Sequence, residues 1–167
     1  ERDRARASAQ IAQAESQRAE ASFLRASIAI REILTKAAMG TGEWARLPVT
    51  LRKQFSAEAV KFYESYAQED SADPKLQYEA GVGYRSIGTL HVTAGEIPEA
   101  EKSFRLSTAI LERLANQYPA VEQYRQQWAW SLINLSRARH GAQHSDEGRA
   151  GLQKAAALYE ALVLARP

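Results

Sequence analysis

The sequence predicts an all-α fold of six amphipathic helices in three antiparallel pairs, with an overlong first helix. Three observations predict it. No segment alternates apolar and polar residues as a half-buried strand would. Long runs of helix-forming residues are punctuated by Gly, Pro and N-cap residues at 40–42, 73–74, 95–98 and 141–145. The segments between those turns repeat at a spacing of 46 to 48 residues.

Residues 1 to about 39 contain neither Gly nor Pro and are dominated by Ala, Arg, Glu, Gln and Leu, all good helix formers. Ala5, Ala9, Ala12, Ser16, Ala19, Phe23, Ala26, Ile30, Ile33 and Ala37 follow the alternating four-and-three spacing of a heptad seam. Before Phe23 that seam is nearly all Ala, with Ile11 the one large apolar residue nearby. From Phe23 on it is bulky, and Leu24, Ile28 and Leu34 widen it into a core-facing stripe. Residues 1–20 therefore read as a protruding Ala-rich extension, and 21–167 as the packed domain. Gly40, Thr41 and Gly42 end the first helix, and Trp44, Leu47 and Pro48 are expected to pin the crossing to a second helix at about 48–68.

Asp73-Pro74 is an N-cap side chain followed by Pro in the first turn, which starts a third helix running to about Thr93. Gly95 and Pro98 then stop one helix and start the next. A Gly just past a helix end adopts the left-handed conformation without a Cβ clash, and a Pro just inside a helix start loses no needed hydrogen bond. The fourth helix is expected at about 98–117, the fifth at 121–140 and the sixth from Ser145-Asp146-Glu147 to about Arg166. The pairs are thus about 21–68, 73–117 and 120–166.

The stretch that organises the chain is Tyr84-x2-Ile87-Gly88-x2-His91 followed by Gly95-x2-Pro98-Glu99-Ala100-x3-Phe104. Small Gly88 and Ala100 permit close helix approach, and Tyr84, Ile87 and Phe104 fill the space around it. A shift of 46 turns Tyr78, Tyr84 and Ile87 into Tyr124, Trp130 and Ile133. A shift of 48 turns Leu111-Glu112-x-Leu114 into Tyr159-Glu160-x-Leu162, and the same shift backwards gives Tyr63-Glu64-x-Tyr66. Pro119 and Pro167 stand where successive repeats end.

This stretch resembles the tetratricopeptide repeat pattern, with Tyr for its Trp, Ile for its Leu and His91 for its second Tyr. The resemblance covers roughly residues 49–167. It implies a right-handed solenoid of helical hairpins, in a long-helix variant because the period exceeds the usual length of that repeat. The basic, Ala-rich first helix together with the Tyr-Glu-containing second helix resembles the region that follows the kinase domain in planctomycete-type serine/threonine protein kinases. That likeness implies a non-catalytic part of a larger bacterial signalling protein, located in the cytoplasm or on the soluble side of a membrane anchor.

Composition narrows the function classes. The chain has no Cys, which removes disulfide and thiolate-metal frameworks. No apolar run approaches the length a membrane span needs. Basic and acidic residues number 22 and 20 and are interspersed, so nothing favours a nucleic-acid partner. His140-x3-His144 has a zinc-compatible spacing but is interrupted by Gly141 and lacks further ligands, so the two read as solvated loop histidines. His91 reads as a packed, hydrogen-bonded core residue. Gly81-x-Gly83 lies inside a helix with no strand before it and is no phosphate loop. No catalytic, cofactor or metal site is expected, and the chain does not read as an enzyme.

The tetratricopeptide resemblance implies a concave groove lined by the first helix of each pair. On the third helix Val82, Arg85, Thr89 and Val92 share one face, and the counterpart on the fifth is Trp128, Ser131, Leu135 and Ala138 with Arg139 alongside. The groove is expected to hold a protein or peptide partner, with Arg85 and Arg139 contacting an acidic or carboxylate group. The alternative is a structural stalk or spacer with no groove ligand. The Ala-rich seam over 1–37 predicts at most a weak homodimer, because Ala buries little area.

Overall fold

The computed structural model describes residues 1–39, 46–68, 73–141 and 145–164, and has six helices among them and no strand. They are α1 (Arg2–Met39), α2 (Val49–Gln68), α3 (Pro74–Thr93), α4 (Ile97–Gln117), α5 (Glu122–Gly141) and α6 (Ser145–Leu164). The expected roles of Gly40 to Trp44, of His144 and of the last three residues lie outside the described residues.

The helix ends follow the turn chemistry. The Asp73 side chain accepts a hydrogen bond from the Lys75 backbone N–H at 2.8 Å, and Pro74 occupies the first turn of α3. Gly95 has φ +76°, the left-handed conformation that lets α3 stop and α4 begin within three residues.

The pairing of helices is set by where small residues meet large ones. A Cβ on Gly88 would lie 2.5 Å from the Phe104 ring, and one on Gly81 would lie 2.9 Å from Leu111 Cγ. Residue number rises along α3 as it falls along α4 in these contacts, so the two run antiparallel. Each odd-numbered helix also touches the next odd one, α1 on α3 and α3 on α5, while α2 packs on α3 and α4 on α5. One core cluster joins Phe23, Leu34 and Ala37 of α1 to Ala59 and Tyr63 of α2 and Leu76, Ala80, Tyr84 and Ile87 of α3. A second joins Leu111, Leu114 and Ala115 of α4 to Tyr124, Trp128 and Leu132 of α5 and Ala155 of α6.

The register of repetition is uniform. The helices α2, α4 and α6 begin at Val49, Ile97 and Ser145, and α3 and α5 at Pro74 and Glu122, each step being 48 residues. Burial obeys the same step: Leu76, Ala80, Tyr84, Ile87 and Leu90 of α3 match Tyr124, Trp128, Leu132, Leu135 and Ala138 of α5, and all ten are buried. The 46-residue alignment of the first helices is corrected accordingly. Tyr84 is 2% exposed and Trp130, its expected counterpart, is 49% exposed. The residue that takes Tyr84's place is Leu132.

The α1 face also differs in detail from the expected seam. Ser27 and Leu34 are fully buried, whereas Ala26 and Ile33 are only partly covered. The reason is Tyr63: its ring lies against Gly83, and its hydroxyl donates to the Ser27 carbonyl at 3.2 Å and accepts from Ser27 Oγ at 3.3 Å. That rotates Ser27 inward. Phe23 stacks on Phe62 with ring centroids 4.9 Å apart and is the first buried residue of the chain. Residues 1–19 are all exposed.

Candidate partner-binding surface

The residues expected to line the groove separate into two groups. On α3, Arg85 and Thr89 are half-buried and Val92 is exposed, while Val82 is buried in the core. On α5 the expected stripe is turned inward. Trp128 is buried in the second core cluster, with the Lys154 ammonium 4.7 Å from its ring centroid. Ser131 is fully buried and its hydroxyl is 2.7 Å from that of Ser107 on α4. Leu135 is buried with Ala100, Phe104 and Ala138. Arg139 sits between two carboxylates, 3.2 Å from Glu101 and 3.3 Å from Glu147. These four α5 residues hold helices together and do not line an open surface. The cause is the two-residue difference between a 46- and a 48-residue step, which rotates an α-helix by about 200°.

In the 48-residue register the α5 counterparts of Val82, Arg85 and Thr89 are Trp130, Ile133 and Arg137, and it is these that reach the surface. Trp130 is half-exposed, and the Arg85 guanidinium stands 5.3 Å from its ring centroid. Arg85 also donates to the Gln127 side-chain carbonyl at 3.0 Å, and burial lowers its pKa from the ordinary value. Arg85, Trp130, Ile133, Asn134 and Arg137 enclose a hollow of about 260 Å³ between α3 and α5. Arg137 is exposed and has no ion-pair partner among the described residues. The sequence signal for Trp130 was present: the step of 48 that relates Tyr63, Leu111 and Tyr159 on the second helices finds it when applied to the first helices as well.

A larger cleft of about 440 Å³ opens between α2 and α4 over Tyr84 and His91. Three of its charged side chains form one network. Glu96 is bonded by Lys53 at 2.6 Å and by His91 Nδ1 at 2.7 Å, and the Lys53 bond, reinforced by His91, holds its carboxyl below the usual carboxylate range. The cleft therefore presents no unpaired charge on that network, and His91 has the packed, hydrogen-bonded environment its position predicts.

No cluster of three or more His, Asp or Glu side chains capable of holding a metal occurs among the described residues. No described helix is long and apolar enough to cross a membrane. Comparison with protein-family models, with curated proteins and with solved structures finds no match to this chain.

Proposed function

We propose that this chain is a non-catalytic interaction module of the tetratricopeptide kind, a helical-hairpin solenoid that binds a peptide or partner helix across α3 and α5, within a larger signalling protein. The observation that carries this reading is the exposed Trp130, capped on one face by Arg85 and flanked by Ile133 and the unpaired Arg137. Trp and Arg are the side chains most enriched at binding hot spots, because each combines a large contact area with directional polar groups. The regular packing of odd helix on odd helix supports the solenoid, since it places α1, α3 and α5 side by side along one face. Arg137, with Arg85 behind it, selects for a carboxylate on the partner.

The test is selection from a displayed peptide library followed by affinity measurement on variants. Acidic or C-terminal-carboxylate peptides are expected, and Trp130→Ala and Arg137→Glu should each weaken binding at least about tenfold, equivalent to ~1.4 kcal/mol. Arg139→Glu should act through stability instead. Peptides bound equally well by folded Trp130→Ala and Arg137→Glu would remove this surface from the mechanism, and failure to select any peptide would favour a stalk without a ligand.

A further inference from the structure

Two gaps between helices stand one 48-residue step apart in this chain and are closed differently. The α2 and α4 backbones each lie on α3 and stay clear of one another, and α4 and α6 stand in the same relation about α5. The gap between α4 and α6 is spanned at two levels. Near the start of α6, Arg139 of α5 reaches Glu101 of α4 at 3.2 Å and Glu147 of α6 at 3.3 Å. About two turns further along, Lys154 of α6 reaches Glu112 of α4 at 2.7 Å. The gap between α2 and α4 is spanned at the first level only, where Glu96 joins Lys53 of α2 to His91 of α3. At the second level the counterpart of Glu112 is Glu64 of α2, half-buried, and the counterpart of Lys154 is Leu106 of α4, which has no charge to answer it. Glu64 has no hydrogen bond or ion pair among the described residues. Lys61, on the same helix, is turned to Glu58 at 2.7 Å, and Lys102 stands exposed at the rim.

The floor beneath that gap carries a second unanswered group. Tyr84 is 2% exposed and lines the cleft, and its hydroxyl has no hydrogen-bond partner among the described residues. Buried polar groups are normally bonded. Leu132, which stands in the place of Tyr84 one step on, needs no such partner. Burial, with the nearby Glu64 carboxylate adding to it, pushes the Tyr84 pKa up to about 12, so the phenol keeps its proton at neutral pH and offers it to an acceptor. The walls between the two groups are apolar. Ala57 and Val60 of α2 face Leu106 of α4 across a cleft of about 440 Å³, a usual size for a ligand site. The occupant that suits this cleft brings an acceptor to Tyr84, an aliphatic body to the walls and a cation to Glu64. A lysine residue within a peptide has all three, in its backbone carbonyl, its methylene stem and its ammonium. A free alkylamine lacks the acceptor. The other gap already holds the same side chain, Lys154, supplied by the chain itself.

We propose that the cleft between α2 and α4 binds a lysine side chain of a partner protein, presented on a peptide segment with apolar residues on either side. The ammonium donates to the Glu64 carboxylate, and the backbone carbonyl accepts from the Tyr84 hydroxyl. This site lies between the second helices of successive pairs and shares no residue with the α3–α5 hollow proposed for acidic peptides.

Fluorescence anisotropy tests it with blocked, dye-labelled pentapeptides that carry lysine, norleucine or glutamate between flanking leucines. The lysine peptide should bind the 167-residue chain at least about tenfold more tightly than the other two. Glu64→Gln should erase that preference. Tyr84→Phe should weaken the lysine peptide with the melting temperature unchanged, because the hydroxyl it removes has no partner within the described chain. Leu106→Lys installs the pairing of the other gap, so this variant should stay folded and lose the peptide. Unlabelled n-hexylamine should compete only weakly. Trp130→Ala and Arg137→Glu should bind the lysine peptide as the parent does, which keeps failure here distinguishable from failure of the α3–α5 reading. No preference for lysine, a preference that survives Glu64→Gln, or unchanged binding by folded Leu106→Lys would each overturn the proposal. Competition by n-hexylamine equal to that of the unlabelled lysine peptide would overturn it in favour of a small amine.

Discussion

The α2–α3 and α4–α5 junctions occupy equivalent places in one 48-residue register, yet they are packed by opposite means. The first is built around an aromatic ring: Tyr63 is fully buried, lies on Gly83 and bonds Ser27 across to α1. The second is built around an aliphatic side chain, Leu111, and the residue at the place of Gly83 is Ser131, bonded to Ser107. The bulk removed from one helix reappears on its neighbour. Conserved volume across an interface, and not a fixed residue at each position, is what lets a degenerate repeat keep one geometry.

The largest expected effect comes from breaking the aromatic junction. Gly83→Val forces two methyl groups into the Tyr63 ring, whose own hydroxyl is tethered on α1, and should cost about 3 kcal/mol by denaturant unfolding. Gly81→Ala, facing α4, would meet Leu111 Cγ at 2.9 Å and Ile110 Cγ2 at 3.3 Å, aliphatic side chains that can shift where a tethered ring cannot, and should cost about 1 kcal/mol. Equal losses would show that the tethered ring is no more rigid a neighbour than the aliphatic side chains facing Gly81.

The comparison is sharpened by transplanting one solution into the other place. Tyr63→Leu removes the ring and should cost roughly 3 kcal/mol, as large-to-small core changes do. Combined with Gly83→Ser it recreates the second junction's pair, and the double variant should be more stable than the sum of the single changes by ~1 kcal/mol or more. Strict additivity would mean that the two residues do not exchange volume. Tyr63→Phe isolates the hydroxyl and should cost about 1 kcal/mol. The same burial that makes this loss matter pushes the Tyr63 pKa up to about 12, so the phenol stays protonated and able to donate throughout the neutral range.

A smaller, pH-dependent difference belongs to the second junction. Glu101 on α4 is buried, and its carboxyl is held below the usual carboxylate range by a hydrogen bond from Arg105, with Arg139 of α5 adding to it. A depressed folded-state pKa contributes stability that is complete above the unfolded Glu value near ~4.3 and is lost as pH falls through the folded value. Melting temperature should therefore drop on acidification below about pH 5, and Glu101→Gln should flatten that limb while lowering stability at neutral pH by roughly 1–2 kcal/mol. An unchanged acid limb in Glu101→Gln would assign the dependence to other carboxylates, Glu96 first.

The smallest effect is expected at the surface of α6. Lys154 reaches Glu112 at 2.7 Å and lies over Trp128, but its side chain is half-exposed. Lys154→Ala should change stability by no more than about 1 kcal/mol. A much larger loss would mean that the cation over the buried indole is a principal link between the last two pairs.

Local chemistry in the sequence was enough for the helices themselves. Asp73-Pro74, Gly95 and Pro98 act within a few residues, through hydrogen bonds and φ preferences that need no distant partner, so the ends of α3 and α4 could be read directly. The large apolar residues after Phe23 likewise separated the packed part of α1 from an exposed extension. The facing of α5 was decided by tertiary structure. Trp128 and Trp130 are both large, both lie in a helix of weak amphipathicity and differ by two positions, so local pattern assigns neither to the core. Only packing against Leu111 and Leu114 buries Trp128, and only the same packing leaves Trp130 turned out beside Arg85. Likewise Arg139 resembles Arg137 in the sequence, and the position of Glu101 on a neighbouring helix is what pairs the one and leaves the other open. Helix ends are fixed by short-range hydrogen bonding, while the choice of which face meets a neighbour depends on volumes contributed by residues on other helices, well beyond the reach of local pattern.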